Sequence, residues 1–328
     1  MAKRLLSIVV PVFNEVDGLD ELYARIREHA DHVEGDWELV LVDDGSTDGS
    51  TEKIDQIVAG DARVRLIQLS RNFGQQVAIC AGLDAVRGDL IMLMDADLQD
   101  PPEAIPSFVD AICSRNHDLV FGIREGRADR WTTRLMSAVF WLMIRKLSGF
   151  DIPENLAVMR IFNRRFLEEF QRFPERQKFI EGIFMWIGLR RSTLAIPHRA
   201  RFAGHSKYNF LRKIQLATTA TTAFSDRPLT AAIGVGASLA VLGLGFFAFI
   251  ALRKLIFDYY AQGWVSTFGI VLVAGGIQLI FLGVLGKYIG RVFNEAKQRP
   301  LYIVQKRSGE PALRALSEPK TKGEREAS

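Results

Sequence analysis

The sequence predicts an α/β domain with a mostly parallel sheet, joined to two membrane-spanning helices. Three observations carry that reading. Short apolar runs alternate with helical patterns from residue 6 to residue 123, as strands wrapped by helices do. Acidic residues gather just beyond several of those strands. Two long runs toward the C-terminus, Leu229–Leu252 and Tyr259–Gly286, carry no charged residue.

The elements follow in order. Leu6–Val12 reads as a buried strand and Val16–Ala30 as a helix. Trp37–Val42 is the next strand, and Asp48–Ala59 a helix capped by Thr47 or Asp48, since short polar side chains satisfy the first free N–H groups of a helix. Val64–Leu69, Gln75–Val86 and Asp89–Met94 continue the alternation. Pro101-Pro102-Glu103 opens a helix to about Cys113, because proline fits the first turn. Leu119–Ile123 is a further strand.

From Arg124 to Phe150 the character changes. Arg124, Arg127, Arg130 and Arg134 precede Leu135–Ile144, with Trp131, Phe140 and Trp141 close by. This pattern predicts amphipathic helices lying on a membrane surface over about 124–150. The two uncharged runs hold 24 and 28 residues. At about 1.5 Å per residue each exceeds a hydrocarbon core of roughly 30 Å. Arg212, Lys213 and Arg227 precede the first run, and Lys287, Arg291, Lys297 and Arg299 follow the second. That bias places both ends in the cytoplasm. The expected organisation is therefore a cytosolic domain over 1–228, spans at 229–252 and 264–286, a short non-cytoplasmic loop at 253–263, and a cytosolic tail from 287 to 328. Gln305–Ser328 is charged and poor in aromatics and is expected to be disordered. Glycines within the spans suit close packing of helices, within one chain or between copies forming a homo-oligomer.

Composition removes several classes. The 328 residues have a net charge of only +4, without the basic and aromatic interleaving that nucleic acid would call for, so no nucleic-acid partner is expected. Cys80 and Cys113 lack metal-type spacing and read as reduced thiols. Met1–Arg4 followed by Leu5–Phe13 reads as the start of a strand, not a signal peptide. There is no Gly-x-Gly-x-x-Gly fingerprint and no P-loop lysine.

In open α/β sheets ligands bind beyond the carboxyl ends of the strands. Asp95-Ala96-Asp97 lies at such an end. Two neighbouring carboxylates suit Mg²⁺ or Mn²⁺, which take hard oxygen ligands and share them with substrate phosphates. Gln99 is a further candidate in that shell. Asp43 and Asp44 follow another strand, where a carboxylate can accept from a nucleobase N–H or a ribose hydroxyl, or cap the following helix. Pro11, Phe13 and Glu15 would form the opposite wall of a base pocket. Arg201 and Gly204-His205-Ser206-Lys207-Tyr208 offer cations on a tight loop for phosphate.

The stretches Ser7–Glu15, Val42–Asp48, Asp95–Glu103 and Gly204–Tyr208, in this order, resemble family 2 glycosyltransferases with the GT-A fold. The subgroup most similar is the polyprenyl-phosphate glycosyltransferases, relatives of dolichyl-phosphate mannose synthase and the bacterial bactoprenol glucosyltransferases. The resemblance implies a nucleoside-diphosphate sugar as donor and a polyprenyl phosphate as acceptor, with inversion at the anomeric carbon. It implies a divalent cation at Asp95 and Asp97 with Gln99 nearby, and nucleotide contacts from Pro11–Glu15 and Asp44. It also implies phosphate contacts from Arg201, Ser206 and Lys207, and acceptor-phosphate contacts from Arg124, Arg134 and Ser137. UDP-glucose is the favoured donor, with GDP-mannose or another UDP-sugar as alternatives. A non-catalytic scaffold, or a subunit that flips lipid-linked sugar, is the reading of another class. The implied location is the bacterial inner membrane, multi-pass, with the catalytic domain cytoplasmic.

One position departs from the family pattern. Many relatives carry Asp-Phe-Arg-Leu where this chain has Val158-Met159-Arg160-Ile161. A general base is therefore missing there, although Asp97 or Asp151 could substitute. A phosphate monoester, with its second pKa near about 6, is already largely anionic at neutral pH. Such a nucleophile needs positioning more than deprotonation, so the loss favours a phosphate acceptor.

Overall fold

Eight strands form one mixed sheet in a computed structural model that describes residues 4–114, 116–125, 155–176, 178–197, 227–257 and 264–309. The strands are β1 (Leu5–Val12), β2 (Asp36–Asp43), β3 (Val64–Leu69), β4 (Leu90–Leu93), β5 (Leu119–Glu125), β6 (Leu156–Asn163), β7 (Arg191–Pro197) and β8 (Val304–Ser308). Their spatial order is β7-β5-β6-β4-β1-β2-β3-β8. The pairs β1–β2, β1–β4, β2–β3 and β5–β7 are parallel. The pairs β3–β8, β4–β6 and β5–β6 are antiparallel.

Helices cover both faces of the sheet. On one face lie α1 (Leu19–Ala30), α2 (Ser50–Gly60) and α4 (Ile105–Ser114), packing Leu22, Ile26, Ile54 and Phe108 against Ile8, Val10, Leu39 and Met92. On the other lie α3 (Gln75–Leu83), α5 (Arg164–Gln171) and α6 (Ile180–Ile187), packing Ile79, Phe166 and Phe184 against Val9, Val40 and Leu93. Strands buried on both faces read as continuous apolar runs, which is why β1, β2 and β4 were legible. Phe184 meets Phe162, Phe166 and Phe170 edge to face, at centroid distances of 5.2, 4.9 and 5.3 Å, a geometry that aromatic quadrupoles prefer.

Two long helices follow, α7 (Arg227–Phe257) and α8 (Trp264–Ala296). Both contain windows long and apolar enough to cross a membrane. Apolar side chains such as Val241, Leu244 and Leu279 face outward, the reverse of a soluble core helix. α8 runs past Gly286, where the uncharged stretch stops, through Lys287 and Arg291.

The tail corrects one expectation. Gln305–Ser328 is expected to be disordered, yet Val304–Ser308 is a strand antiparallel to β3. It fits there because Leu301, Tyr302 and Val304 pack on the α3 face of the core. The Tyr302 hydroxyl donates to Asp84 Oδ2 at 2.9 Å, and Lys306 Nζ meets Asp55 Oδ2 at 2.7 Å. Composition missed this because the apolar residues number only a few and local charge masks them. A second correction concerns Arg124, expected at the start of an interfacial helix. It belongs to β5, so an interfacial segment begins no earlier than residue 126.

A smaller network at the sheet's N-terminal end yields a pH prediction. Asp61 accepts from Arg63 and from the Tyr23 hydroxyl, at 2.8 and 2.9 Å. The Arg63 hydrogen bond is the main cause that holds Asp61 down to about 2. An unfolded aspartate titrates near about 3.9. The stabilisation is therefore full above about pH 4 and is lost as pH falls toward about 2. Thermal melts between these values should show a slope that Asp61→Asn reduces.

Candidate active site

Three loops at the carboxyl ends of β1, β2 and β4 converge, and hydrogen bonds lock each to its neighbour. Asn14, in the left-handed region at φ 56°, donates its N–H to Ser46 Oγ at 3.0 Å and accepts from Thr47 N–H on Oδ1 at 2.8 Å. Glu15 N–H donates to Ser50 Oγ and Val16 N–H to Asp48 Oδ2, both at 3.1 Å. Asp48 Oδ1 also accepts from Ser50 N–H at 3.0 Å, but the cap of α2 is Gly49, in the left-handed region and without a side-chain cap bond. This corrects the expected cap at Thr47 or Asp48: the short polar side chains here are spent on tying the β1 and β2 loops together. Pro11 is buried, Glu15 is partly exposed and Phe13 is exposed.

Asp43 and Asp44 are both buried and both engaged. Asp43 accepts from Ser46 N–H at 2.9 Å and from the Thr51 hydroxyl. Asp44 accepts from Phe73 N–H at 2.7 Å and Gly74 N–H at 2.8 Å. Burial raises the Asp44 carboxyl above its ordinary range, and those two N–H donors pull it back. Gly45 has φ 72°, and a Cβ there would lie 2.6 Å from the Arg71 carbonyl carbon. Only glycine lets the Asp43–Ser46 turn press against that backbone. A carboxylate has about four acceptor positions, so both aspartates keep capacity for a ligand.

Asp95 and Asp97 stand at the end of β4, each partly exposed. Asp95 Oδ1 accepts from Gln75 Nε2 at 2.6 Å, and Asp97 Oδ1 accepts from Gln99 N–H at 3.1 Å. Burial among protein atoms is the main reason that Asp95 is pushed up to about 8, with the Asp100 and Asp97 carboxylates adding to it. Leu98 between them is buried at φ 59°, a conformation that costs a bulky residue on the order of 1 kcal/mol or more. The surrounding bonds impose it. Asp100, fully buried, accepts from Arg124 Nε and Nη2 at 3.0 and 2.7 Å and from Met159 N–H at 2.9 Å. It ties the acidic loop to β5 and β6.

The structure thus brings Pro11, Phe13, Glu15, Asp43, Asp44, Asp95, Asp97, Gln99 and Arg124 to one end of the sheet. The start of α3 joins two of the loops, since its cap Gly74 holds Asp44 and its first residue Gln75 holds Asp95. Asp151, Arg201, Ser206, Lys207, Arg134 and Ser137 lie outside the described residues. Sequence reasoning passed over Asp100, Gln75, Gln76, Arg160 and Glu181. Asp100 sat inside a stretch already singled out. Arg160 likewise sat inside the Val158–Ile161 stretch, noted there only for the acid it lacks, whereas Gln75, Gln76 and Glu181 carry no local signal, because contacts distant in sequence bring them to this end.

Among the described residues no group of three or more His, Cys, Asp or Glu gathers as a metal cage. A divalent cation would rest on Asp95 and Asp97 and complete its shell with substrate oxygens, as Mg²⁺ commonly does. The crowding of Asp95, Asp97 and Asp100 fits such a charge, since a cation relieves the repulsion that raises Asp95.

Residues 7–171 match the family described as Glycosyl transferase family 2. The uncharacterized glycosyltransferase YkcC of Bacillus subtilis is 36% identical over 304 residues, covering 92% of this chain and 94% of the relative. An undecaprenyl-phosphate 4-deoxy-4-formamido-L-arabinose transferase of Aeromonas hydrophila is 34% identical over 304 residues, covering 92% and 93%. A prophage-derived bactoprenol glucosyl transferase of Shigella flexneri is 34% identical over 302 residues, covering 92% and 97%. These matches run through both long helices as well as the sheet, so the chain belongs to glycosyl transferase family 2.

Proposed function

We propose that this glycosyltransferase moves a sugar from a nucleoside diphosphate to the phosphate of a polyprenyl phosphate at the cytoplasmic face of a bacterial inner membrane. The observation that carries the reading is the Asp95–Asp97 pair at the meeting of three strand-end loops, in a chain with two helices apolar enough to span lipid. Full-length similarity to transferases named for undecaprenyl phosphate and bactoprenol supports the acceptor.

In this reading the nucleotide lies between the Pro11–Glu15 turn and the Asp43–Asp44 turn, with Phe13 against the base. Asp95 and Asp97, with Gln99 nearby, hold Mg²⁺ or Mn²⁺. When bound, the cation neutralises the diphosphate as it leaves. Arg201, Ser206 and Lys207 contact donor phosphate, and Arg124, Arg134 and Ser137 face the acceptor phosphate. Arg124 does so with its guanidinium already oriented by Asp100. An acceptor phosphate oxygen forms the new bond to the anomeric carbon while the bond from that carbon to the diphosphate oxygen breaks. The nucleoside diphosphate departs from the opposite face, with inversion. The nucleophile is already anionic, so Val158 in place of an acid is no obstacle. Asp97 and Asp151 remain the carboxylates available should a proton need to move.

UDP-glucose is the first donor to test, followed by GDP-mannose and other UDP-sugars. The experiment is transfer of radiolabelled sugar to undecaprenyl phosphate with Mg²⁺ or Mn²⁺ across that panel. Chelator-sensitive formation of a lipid-linked sugar from one donor is expected. No transfer from any donor would overturn the reading and leave a scaffold or flipping subunit in its place.

A further inference from the structure

A polar group sits deep in the α3–α6 face of the core with one donor unused among the described residues. Arg160 lies in mid-β6 opposite Leu93 and Phe121, only 2% exposed. Its Nε donates to the Val158 carbonyl at 2.9 Å and its Nη2 to the Ala157 carbonyl at 3.1 Å. The same Nη2 is 3.6 Å from Glu181 Oε1. Nη1 is buried and has no hydrogen-bond partner among the described residues. The guanidinium also lies near the faces of Phe121 and Phe184, with Cζ 5.7 and 5.4 Å from their centroids.

A buried donor left unmade carries the full cost of its desolvation, and native structures retain such groups for a reason. Packing is a poor reason here, because an aliphatic side chain would fill the site without that cost. Location suggests a better one. Successive side chains of a strand alternate between faces. Ile91 and Leu93 pack on the α3 side, so Asp95, two positions further, emerges on the side that holds Arg160. The carboxylates of Asp95 and Asp100 are close enough to act on Arg160 electrostatically.

Adjacent glutamines of α3 bind the two relevant acids together. Gln75 donates to Asp95 at 2.6 Å and Gln76 donates to Glu181 Oε2 at 3.3 Å. Gln76 in turn accepts from Ile180 N–H at 3.0 Å, fixing the start of α6. Glu181 is therefore linked to Asp95 through the start of α3 and through Arg160, with its side chain 22% exposed.

A carboxylate acceptor next to an unfilled N–H donor complements a hydroxyl, which both donates and accepts. We propose that Glu181 and Arg160 form a subsite for hydroxyl groups of the donor's sugar and take part in choosing which sugar is transferred. This rests on the nucleotide-sugar reading above. Glu181 accepts from a sugar hydroxyl. Arg160 steadies Glu181 and offers Nη1–H to a sugar oxygen, directly or through one water.

The test uses the full-length protein in detergent with Mn²⁺, and compares each nucleotide sugar with its bare nucleotide by calorimetry. The ligands are UDP, UDP-glucose, UDP-N-acetylglucosamine, GDP and GDP-mannose. Glu181 is partly exposed, so Glu181→Ala and Glu181→Gln are the variants of choice. For the sugar that wild type prefers, Glu181→Ala is expected to weaken nucleotide-sugar binding about tenfold. Binding of the bare nucleotide should stay within about twofold. Glu181→Gln, which keeps an acceptor, should fall between. Equal losses for sugar nucleotide and bare nucleotide, or no loss for either, would overturn the subsite and leave a purely structural ion pair. A wild-type protein that binds none of the five ligands would overturn the nucleotide-sugar reading itself, and the subsite with it.

Discussion

Asp97→Asn is expected to lower sugar transfer by about 10³-fold or more, since it removes a charged ligand from the cation that offsets the leaving diphosphate. The sheet should remain folded, because Asp97 is partly exposed and Asp100 carries the ties to β5 and β6. Asp95→Asn should abolish transfer likewise, with an opposite effect on stability. In chelator, burial pushes the Asp95 carboxyl up to about 8, whereas an unfolded aspartate titrates near about 3.9. Between those values the folded form keeps a proton that the unfolded form has lost. Stability is then intact below about pH 4 and declines as pH rises toward about 8. The asparagine variant escapes that decline. Its melting temperature in EDTA should exceed that of wild type, with a gap that widens across this window. A variant melting lower than wild type at pH 8, or one still turning over, contradicts the assignment of Asp95 as a cation ligand with a raised carboxyl. Active sites often hold such a tension between stability and function.

Removing residues 300–328 should destabilise the catalytic domain although every motif residue remains. The deletion strips β8 from β3, together with the Ser70 N–H bond to the Ile303 carbonyl at 2.9 Å. It also uncovers the patch where Leu301, Tyr302 and Val304 pack, and removes the Asp84 and Asp55 contacts. Those losses amount to roughly 3–5 kcal/mol. The bare β3 edge would invite pairing with other chains. Reduced melting temperature and aggregation are expected in detergent. A deletion ending at Gly309 instead, which spares β8, should melt like wild type. Equal melting of the two deletions would show that β8 contributes nothing to the domain.

The sheet core and the acidic loop were legible because their signals are local. β1, β2, β3 and β4 are apolar runs, and Asp95-Ala96-Asp97 follows one directly. The second half of the domain was not legible for physical reasons. β6 carries Arg160 in its middle, a buried charge that interrupts the apolar pattern. β7 alternates exposed and part-buried residues with only Ile196 fully buried. α5 and α6 are short, and their burial depends on the phenylalanine cluster rather than on a long helical stripe. β8 depends on pairing with a strand more than two hundred residues earlier, which no local window reveals. The partners of Asp44 and Asp95 likewise come from the β3–α3 connection and the first residue of α3, 20 to 30 positions away in sequence.

The charged end of α8 has a geometric consequence. Ten residues, Lys287–Ala296, continue the helix beyond its uncharged stretch, a rigid post of about 15 Å at about 1.5 Å per residue. Glu295 at its tip accepts from Arg176 N–H at 3.0 and 3.1 Å, and β8 follows within a few residues. In the membrane setting proposed above, the standoff between lipid and sheet is set by a strut bolted at its top, not by a hinge. The acceptor headgroup must rise to meet the donor at a set height, and an added helical turn in that post would move the two reactants out of reach of each other.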